Sequence, residues 1–201
     1  MRLFVTGIGT EVGKTIASSI LVETLKADYW KPIQAGELDN SDTHKVKSLI
    51  SNSKSFFHKE SYQLNDPMSP HAAAERDGVT IKLSNIIPPK TENHLIIEGA
   101  GGLLVPLNNK DYILDFIPNT NSEVVIVSRH YLGSINHTLM TIRTLKDRNI
   151  SIKGIIFSGN ENKDTESIIL KMSEIKFLFR INEEKEFNKE TIKKYAQQIT
   201  L

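Results

Sequence analysis

Cysteine is absent from the 201 residues of this chain, so disulfide bonds, thiolate metal sites and cysteine nucleophiles are excluded. No apolar run approaches the roughly 20 residues that a membrane-spanning helix needs. The N-terminus runs directly into a strand-like segment and lacks the apolar stretch and cleavage site of a signal peptide. These absences predict a soluble, cytoplasmic protein that does not enter a membrane.

The chain also lacks an excess of charge of either sign, because 25 Lys and Arg face 24 Asp and Glu, for a net charge of +1 at pH 7. This balance argues against a basic nucleic-acid-binding protein, although it leaves a local basic patch open. Hydrophobic residues make up 39% of the chain, enough for a packed core. The length predicts one domain, residues 1–201.

Short apolar runs rich in β-branched residues alternate with amphipathic stretches of helical length, a pattern typical of βαβ units. We therefore predict a single-domain, doubly wound α/β fold, with a mostly parallel sheet and helices on both faces. The predicted strands are Leu3–Val5, Tyr29–Lys31, Leu95–Ile97, Val124–Val127, Ile152–Phe157 and Phe177–Ile181. The predicted helices are Lys14–Lys26, Asp42–Ser51, Ser134–Arg148, Asp164–Met172 and Glu190–Gln198. Segment 53–90, interrupted by prolines, is predicted as loops and short helices over one end of the sheet.

A glycine-rich loop separates the first strand from the first helix, with the sequence Gly7-Ile8-Gly9-Thr10-Glu11-Val12-Gly13-Lys14-Thr15. The backbone N–H groups of such a loop, together with the helix N-terminus, can surround phosphate oxygens. Lys14 can then reach the β- and γ-phosphates, and the Thr15 hydroxyl can bind magnesium. The common spacing GxxxxGK[ST] requires glycine at Ile8, so this loop is a variant that starts at Gly7 and is one residue longer. Glu11 is either a solvated loop residue or a partner for sugar hydroxyls or backbone.

Two acidic residues follow predicted strands and are candidates for holding a metal. Glu98 ends the run Leu95-Ile96-Ile97, at the edge where open α/β sheets bind ligands. Glycines follow it and permit close approach of backbone to a ligand. Asp42 follows the second strand, where a helix N-cap or first-turn acid is the alternative interpretation.

Lys31, in Tyr29-Trp30-Lys31-Pro32, ends the second strand and is expected at the same edge as the phosphate loop. A surface lysine is the alternative, and the position alone does not decide between them. Ser69-Pro70-His71 forms a turn whose lone histidine is more often structural than catalytic. The histidines show no HxH or HExxH spacing, so we do not expect a zinc site.

Taken together, these segments resemble the dethiobiotin synthetase family, a group of P-loop ATP-dependent ligases of biotin biosynthesis. The resemblance spans roughly residues 3–160. It rests on the following residues: Val5-Thr6-Gly7, Thr10 to Thr15, Lys31-Pro32, Ser41-Asp42, Ser69-Pro70-His71, Glu98 to Gly102 with Pro106, Leu132 to His137, and Gly159-Asn160. It implies that the substrates are 7,8-diaminopelargonate, carbon dioxide or bicarbonate, and ATP with Mg²⁺. An amine captures carbon dioxide as a carbamate, ATP phosphorylates it, and the second amine closes the ureido ring. The family further implies a homodimer that binds no nucleic acid.

The resemblance also implies roles for individual residues. Catalysis would fall to Lys31 and Lys14, and metal binding to Thr15, Asp42 and Glu98. Nucleotide binding would involve Glu11, Val12, Gly13, Lys14, Thr15, Ile16, Asp42, Glu98, Gly99, Ala100, Gly101 and Asn160. Substrate binding would involve Thr10, Lys31, Gln34, Ala35, Gly133, Ser134 and Asn136. The family often has a hydroxyl residue where Gln34 and Ala35 stand, so this contact must come from Gln34, backbone or water.

Two other classes of protein share part of this pattern. Nucleotide-switch ATPases of the partitioning or septum-positioning type have a similar loop but carry a second lysine at the position of Gly9. A glutaminase-linked synthetase of cobalamin biosynthesis would need a cysteine nucleophile, which this chain lacks. The switch ATPase therefore remains the alternative to a synthetase.

Overall fold

A seven-stranded parallel sheet forms the centre of the computed structural model, which describes residues 1–200. Its strands are β1 (Arg2–Gly7), β2 (Asp28–Trp30), β4 (Phe57–His58), β6 (Leu95–Glu98), β7 (Glu123–Arg129), β8 (Ile152–Ser158) and β9 (Phe177–Ile181). They lie in the order β4-β2-β6-β1-β7-β8-β9, and each neighbouring pair is parallel. Two further strands, β3 (Ile33–Ala35) and β5 (Tyr62–Leu64), pair in parallel as a small separate sheet.

Helices cover both faces of the large sheet. They are α1 (Lys14–Leu25), α2 (Asp42–Leu49), α3 (Pro70–Arg76), α4 (Ile113–Phe116), α5 (Ser134–Asp147), α6 (Lys163–Ser173) and α7 (Lys189–Gln198). Successive residues of β1 enter opposite cores, because side chains alternate across a strand: Leu3 and Val5 pack with α1, α2 and α7, and Phe4 packs with α4, α5 and α6. None of the helices in residues 1–200 has the length and apolar character of a membrane span.

The predicted parallel sheet and its helices are confirmed, with every predicted helix placed within two residues of its observed bounds. The second strand lies one residue earlier than predicted, so Lys31 follows it directly. Segment 53–90 contains α3, as predicted in general terms, but also β4 and β5, which were not predicted. Strands of two or three residues are too short for a hydrophobic period to reveal them.

The parallel arrangement fixes the place of the candidate site. Because all strands of the large sheet run in one direction, the residues that follow them gather at one edge. That edge carries the glycine-rich loop after β1, Lys31 after β2 and Glu98 at the end of β6.

Candidate nucleotide and metal site

The glycine-rich loop is compact and needs glycine at both ends. A Cβ atom on Gly7 would lie 2.6 Å from Val12 Cγ2 and 3.2 Å from Lys14 Nζ. Gly13 has φ +97°, a conformation that other residues rarely adopt, and a Cβ there would lie 2.9 Å from Ser158 Oγ. The Lys14 ammonium is buried and donates to the Gly9 carbonyl at 2.9 Å. The loop therefore closes around the lysine that the motif predicts as a phosphate ligand.

Three oxygen-bearing side chains meet beside this loop. Thr15, in the first turn of α1, places Oγ1 3.1 Å from Asp42 Oδ1 and 3.0 Å from Glu98 Oε1. No group of three or more His, Asp or Glu side chains suited to a metal occurs in residues 1–200. Two carboxylates and a hydroxyl nevertheless fit Mg²⁺, which prefers oxygen ligands, keeps several waters and needs few protein ligands when phosphates complete its shell.

Lys31 lies between the same two carboxylates. Its ammonium is 2.7 Å from Asp42 Oδ2 and 3.3 Å from Glu98 Oε1, and it donates to the Gly99 carbonyl at 3.2 Å. Only 4% of the residue is exposed, so the surface-lysine interpretation is wrong. Burial alone would lower the pKa of Lys31, but the charges of Glu98 and Asp42 outweigh it and raise that pKa.

The other titratable groups show how closely these charges are coupled. Burial, followed by the nearby charge of Lys31, lowers the pKa of Lys14 to about 8. Burial opposes ionisation of Asp42, yet Lys31 holds the pKa of that carboxyl below its ordinary value. The site thus favours the ionised form of Asp42 and lowers the pKa of the phosphate-loop lysine.

The position of Asp42 is set by its neighbours in α2 and β3. Ser41 is the N-cap of α2, accepting from the His44 backbone N–H, so Asp42 is not the N-cap but, as the other alternative had it, the acid of the first turn. Gln34 is buried; its Oε1 accepts from the Asp42 N–H at 3.2 Å, and its Nε2 donates to the Gly36 carbonyl. Ala35 offers no polar side-chain atom. Gln34 therefore holds the start of α2, and its contact with substrate stays a prediction.

The loop after β6 approaches the phosphate loop through its backbone. The Gly101 carbonyl accepts from the Gly7 N–H at 3.4 Å, and a Cβ on Gly102 would lie 3.3 Å from the Gly7 carbonyl. Gly99 is buried and Ala100 is half-buried. This segment therefore lies next to the glycine-rich loop, and its contact with a nucleotide stays a prediction.

Several predicted residues lie at the rim of this edge. Thr10 and Glu11 are exposed on the loop, and Glu11 adopts φ +55°; Val12 is buried and Ile16 half-buried. Asn160 is exposed, two residues beyond β8, whereas Ser158 is the residue of that segment that adjoins Gly13.

The start of α5 carries the remaining part of the predicted substrate site. Gly133, with φ +102°, is the N-cap of α5, followed by the buried Ser134 and the exposed Asn136. Among residues 1–200, no hydrogen bond or ion pair joins these three residues to Lys31, Asp42 or Glu98. Within one chain, this part of the predicted substrate site is therefore not connected to the rest.

Tyr29 is a contact that the sequence interpretation missed. Its buried hydroxyl donates to Glu98 Oε2 at 3.0 Å. The available signal was its position two residues before Lys31, which places both side chains on one face of the sheet.

Comparisons with known proteins agree with this geometry. A family model described as an AAA domain matches residues 1–191. The ATP-dependent dethiobiotin synthetase BioD of Christiangramia forsetii is 58% identical over 194 residues, covering 96% of this chain and 93% of that protein. The enzyme of the same name from Chlamydia pneumoniae is 42% identical, covering 98% of this chain and 88% of that protein.

Solved structures with the same fold are much more distant in sequence. The septum site-determining protein MinD of Pyrococcus horikoshii, complexed with Mg-ADP, has a TM-score of 0.64 at 12% identity and covers 98% of this chain and 96% of its own. A ParA family ATPase of Chlorobium tepidum has a TM-score of 0.61 at 12% identity, covering 98% and 97%. At this identity the likeness establishes the fold alone, so the sequence relatives decide between synthetase and switch ATPase.

Proposed function

This chain belongs to the AAA domain family and to the ATP-dependent dethiobiotin synthetases, and from that membership we propose that it carboxylates 7,8-diaminopelargonate and closes the ureido ring of dethiobiotin. It is a ligase that uses ATP. The observation that carries the proposal is Lys31, buried between Asp42 and Glu98 beside the phosphate loop. We further propose that it works in the cytoplasm without nucleic acid.

The reaction has three steps. One amine attacks carbon dioxide and loses a proton, which gives a carbamate. A carbamate oxygen then takes the γ-phosphoryl group of ATP and releases ADP. The second amine attacks the carbamate carbon, the carbon–oxygen bond to phosphate breaks, and a second proton leaves as the ring closes.

The side chains of the site suit this sequence of steps. Phosphoryl transfer depends on positioning and charge stabilisation more than on covalent help from the protein. Lys14 would hold the phosphates at the loop, and Lys31 would stabilise the charge that develops as the carbamate oxygen is phosphorylated. Thr15, Asp42 and Glu98 would hold Mg²⁺, which when bound neutralises charge on the β- and γ-phosphates.

We also propose that the active unit is a homodimer in which the start of α5 binds the carboxylate tail of substrate on the partner subunit. The free backbone N–H groups at the start of α5 can donate hydrogen bonds to a carboxylate and so form a binding site for it. Next to it, Tyr131, Leu132 and Ile135 are 44%, 104% and 37% exposed, an apolar surface suited to a second copy. Within residues 1–200, no hydrogen bond or ion pair joins the start of α5 to Lys31, which is compatible with this arrangement.

Complementation tests the dimer. Lys31→Ala removes the proposed catalytic ammonium. Asn136→Glu places a negative charge at the start of α5, where it would repel the carboxylate tail of the substrate. We expect each variant alone to be inactive and a mixture to regain activity, because mixed dimers contain one intact site. A fully active monomer on sizing would refute the homodimer.

The reaction itself is tested by measuring phosphate release from ATP with and without diaminopelargonate and bicarbonate. A synthetase needs both compounds for release, and dethiobiotin must appear in equal amount. Release that is indifferent to both compounds would instead identify a nucleotide-switch ATPase.

A further inference from the structure

Tyr29 and Glu98 are brought together by the pairing of β2 with β6. Tyr29 lies opposite Ile96, and Glu98 follows two residues later on the same face of β6. The phenol of Tyr29 therefore points along the strands toward their carboxyl ends, where the Glu98 carboxylate lies. No part of Tyr29 is exposed, and its ring lies 5.9 Å from the ring of Phe57.

The two oxygens of Glu98 have different partners. Oε2 accepts from the Tyr29 hydroxyl at 3.0 Å, on the core side. Oε1 lies 3.0 Å from Thr15 Oγ1 and 3.3 Å from Lys31 Nζ, on the side of the phosphate loop.

We propose that Tyr29 is a positioning residue that holds Oε2 of Glu98 in the core, so that only Oε1 is presented to a divalent cation. The inference rests on the metal site in the proposed function. A carboxylate fixed in this way offers one oxygen, which suits the small octahedral shell of Mg²⁺; Ca²⁺ accepts two-oxygen carboxylate ligands in a larger shell. Hydrogen bonds that orient metal-binding side chains contribute strongly to metal affinity.

Packing alone does not account for the hydroxyl. A phenylalanine ring would fill the same volume beside Phe57, whereas a buried hydroxyl costs free energy unless it is hydrogen-bonded. The hydroxyl of Tyr29 has its partner in Glu98, a proposed metal ligand. We therefore place its role in orienting that carboxylate.

The test measures Mn²⁺ binding to the protein with ADP, by electron paramagnetic resonance, in the native chain and in Tyr29→Phe. We expect Mn²⁺ affinity to fall about tenfold, within the range for residues that orient metal ligands. ADP affinity without metal is expected to stay within about twofold, which reports an intact phosphate loop. Ca²⁺ should compete with Mn²⁺ better in Tyr29→Phe than in the native chain. Tyr62→Phe is the matched control, because that hydroxyl accepts from the Lys82 N–H and should leave Mn²⁺ affinity unchanged.

Two further variants test whether the hydroxyl acts through Glu98. In a Glu98→Gln background, adding Tyr29→Phe is expected to change Mn²⁺ affinity less than about twofold. Replacing Tyr29 with 4-aminophenylalanine retains a donor and is expected to restore affinity; it also provides the test if Tyr29→Phe does not fold. Native Mn²⁺ affinity in Tyr29→Phe, or weak affinity with 4-aminophenylalanine, would overturn the role of Tyr29 and leave the metal site standing. If the native chain binds no Mn²⁺ with ADP, both the role of Tyr29 and the metal site are overturned. The proposed reaction is tested independently, by the formation of dethiobiotin.

Discussion

Two charged clusters lie at the carboxyl edge of the same sheet, and their hydrogen bonding differs. In the first, the lysine cluster (Thr15, Lys31, Asp42 and Glu98), one ammonium and one hydroxyl are shared between two carboxylates. In the second, the arginine cluster (His130, Glu166 and Arg180), one buried carboxylate is surrounded by donors, and the exposed Glu161 lies 3.8 Å from Arg180 Nη2. Glu166 pairs with Arg180 through both oxygens, and its Oε1 also lies 2.8 Å from His130 Nε2 and 3.0 Å from the Asn162 N–H.

Both clusters are charged and largely buried. They differ in the number of hydrogen-bond donors that each carboxylate has. The lysine cluster has two carboxylates for one close ammonium, so it retains charge and lone pairs for a cation. The arginine cluster satisfies Glu166 fully and joins the ends of β7 and β9 to the start of α6. A buried carboxylate thus indicates a ligand site where it shares its donors with another carboxylate. It indicates a structural role where both of its oxygens are paired, as in Glu166, although His130 Nδ1 in the same cluster is buried without a partner.

The largest expected effect is that of Lys31→Ala. Loss of the ammonium should lower turnover by about 100- to 1000-fold, the scale seen when one group that stabilises transition-state charge is removed. ADP affinity should remain close to native, since Lys14 and the loop are unchanged. Steady-state kinetics and calorimetry with ADP measure the two effects, and near-native turnover would remove Lys31 from catalysis.

Lys14→Ala should affect binding as well as turnover. This lysine reaches into the phosphate loop, so its loss removes a charge-assisted hydrogen bond to phosphate. We expect ADP affinity to fall about 10- to 100-fold, which corresponds to about 1.4 kcal/mol of binding free energy for each factor of ten. Lys31→Ala is the matched control for loss of a buried ammonium at the same edge. Equal ADP affinity in the two lysine variants would contradict the division of roles between them.

Glu166→Gln tests the arginine cluster with a side chain of the same shape. It removes the charge opposite Arg180, so we expect the free energy of unfolding to fall by about 1–3 kcal/mol. Turnover should stay within about threefold, because no residue of the lysine cluster contacts Glu166. Urea denaturation and steady-state kinetics measure both quantities; a large loss of turnover with unchanged stability would assign this cluster to the active site.

The smallest effect is on the acid dependence of stability. Burial opposes ionisation of Glu166, but its bonds from Arg180, the Asn162 N–H and His130 outweigh it and lower the pKa below the ordinary 4.5. The folded state then binds fewer protons than the unfolded state, so the stabilisation is present above about pH 4.5 and is lost as the pH falls through the folded pKa. The difference in unfolding free energy between the native chain and Glu166→Gln should therefore shrink between pH 7 and pH 3. A difference that stays constant over this range would contradict the depressed pKa.

The features that the sequence predicted are those with a local pattern. Lys14 and Thr15 follow from the loop, and Glu98 follows from a buried strand that ends at a ligand-binding edge. Lys31 could not be distinguished from a surface lysine, because its burial depends on Asp42 and Glu98, which are distant in sequence. The same limit hid Tyr29, since the phenol acquires its partner through the register of β2 with β6.

The arginine cluster had no local pattern at all. Its three residues lie just after one strand, in the first turn of a helix and near the end of another strand, and only the tertiary structure joins them. The short strands β4 and β5 were missed for the related reason that too few residues define their period. Residue roles inherited from family resemblance, such as those of Asn160 and Asn136, remain predictions.

The central position of β1 has a consequence for how the protein is made. Its partners in the sheet are β6 and β7, so during synthesis β1 has no neighbouring strand until Leu95 and the residues after it have been made. During that interval the chain carries an apolar segment, Leu3-Phe4-Val5, that is fully buried in the finished protein. Strand pairs between residues so distant in sequence form slowly, because closing the long intervening loop costs conformational entropy before the contact is made. Synthesis of this protein therefore includes a stage at which the segment that becomes the centre of the sheet is unpaired and open to aggregation and to chaperones.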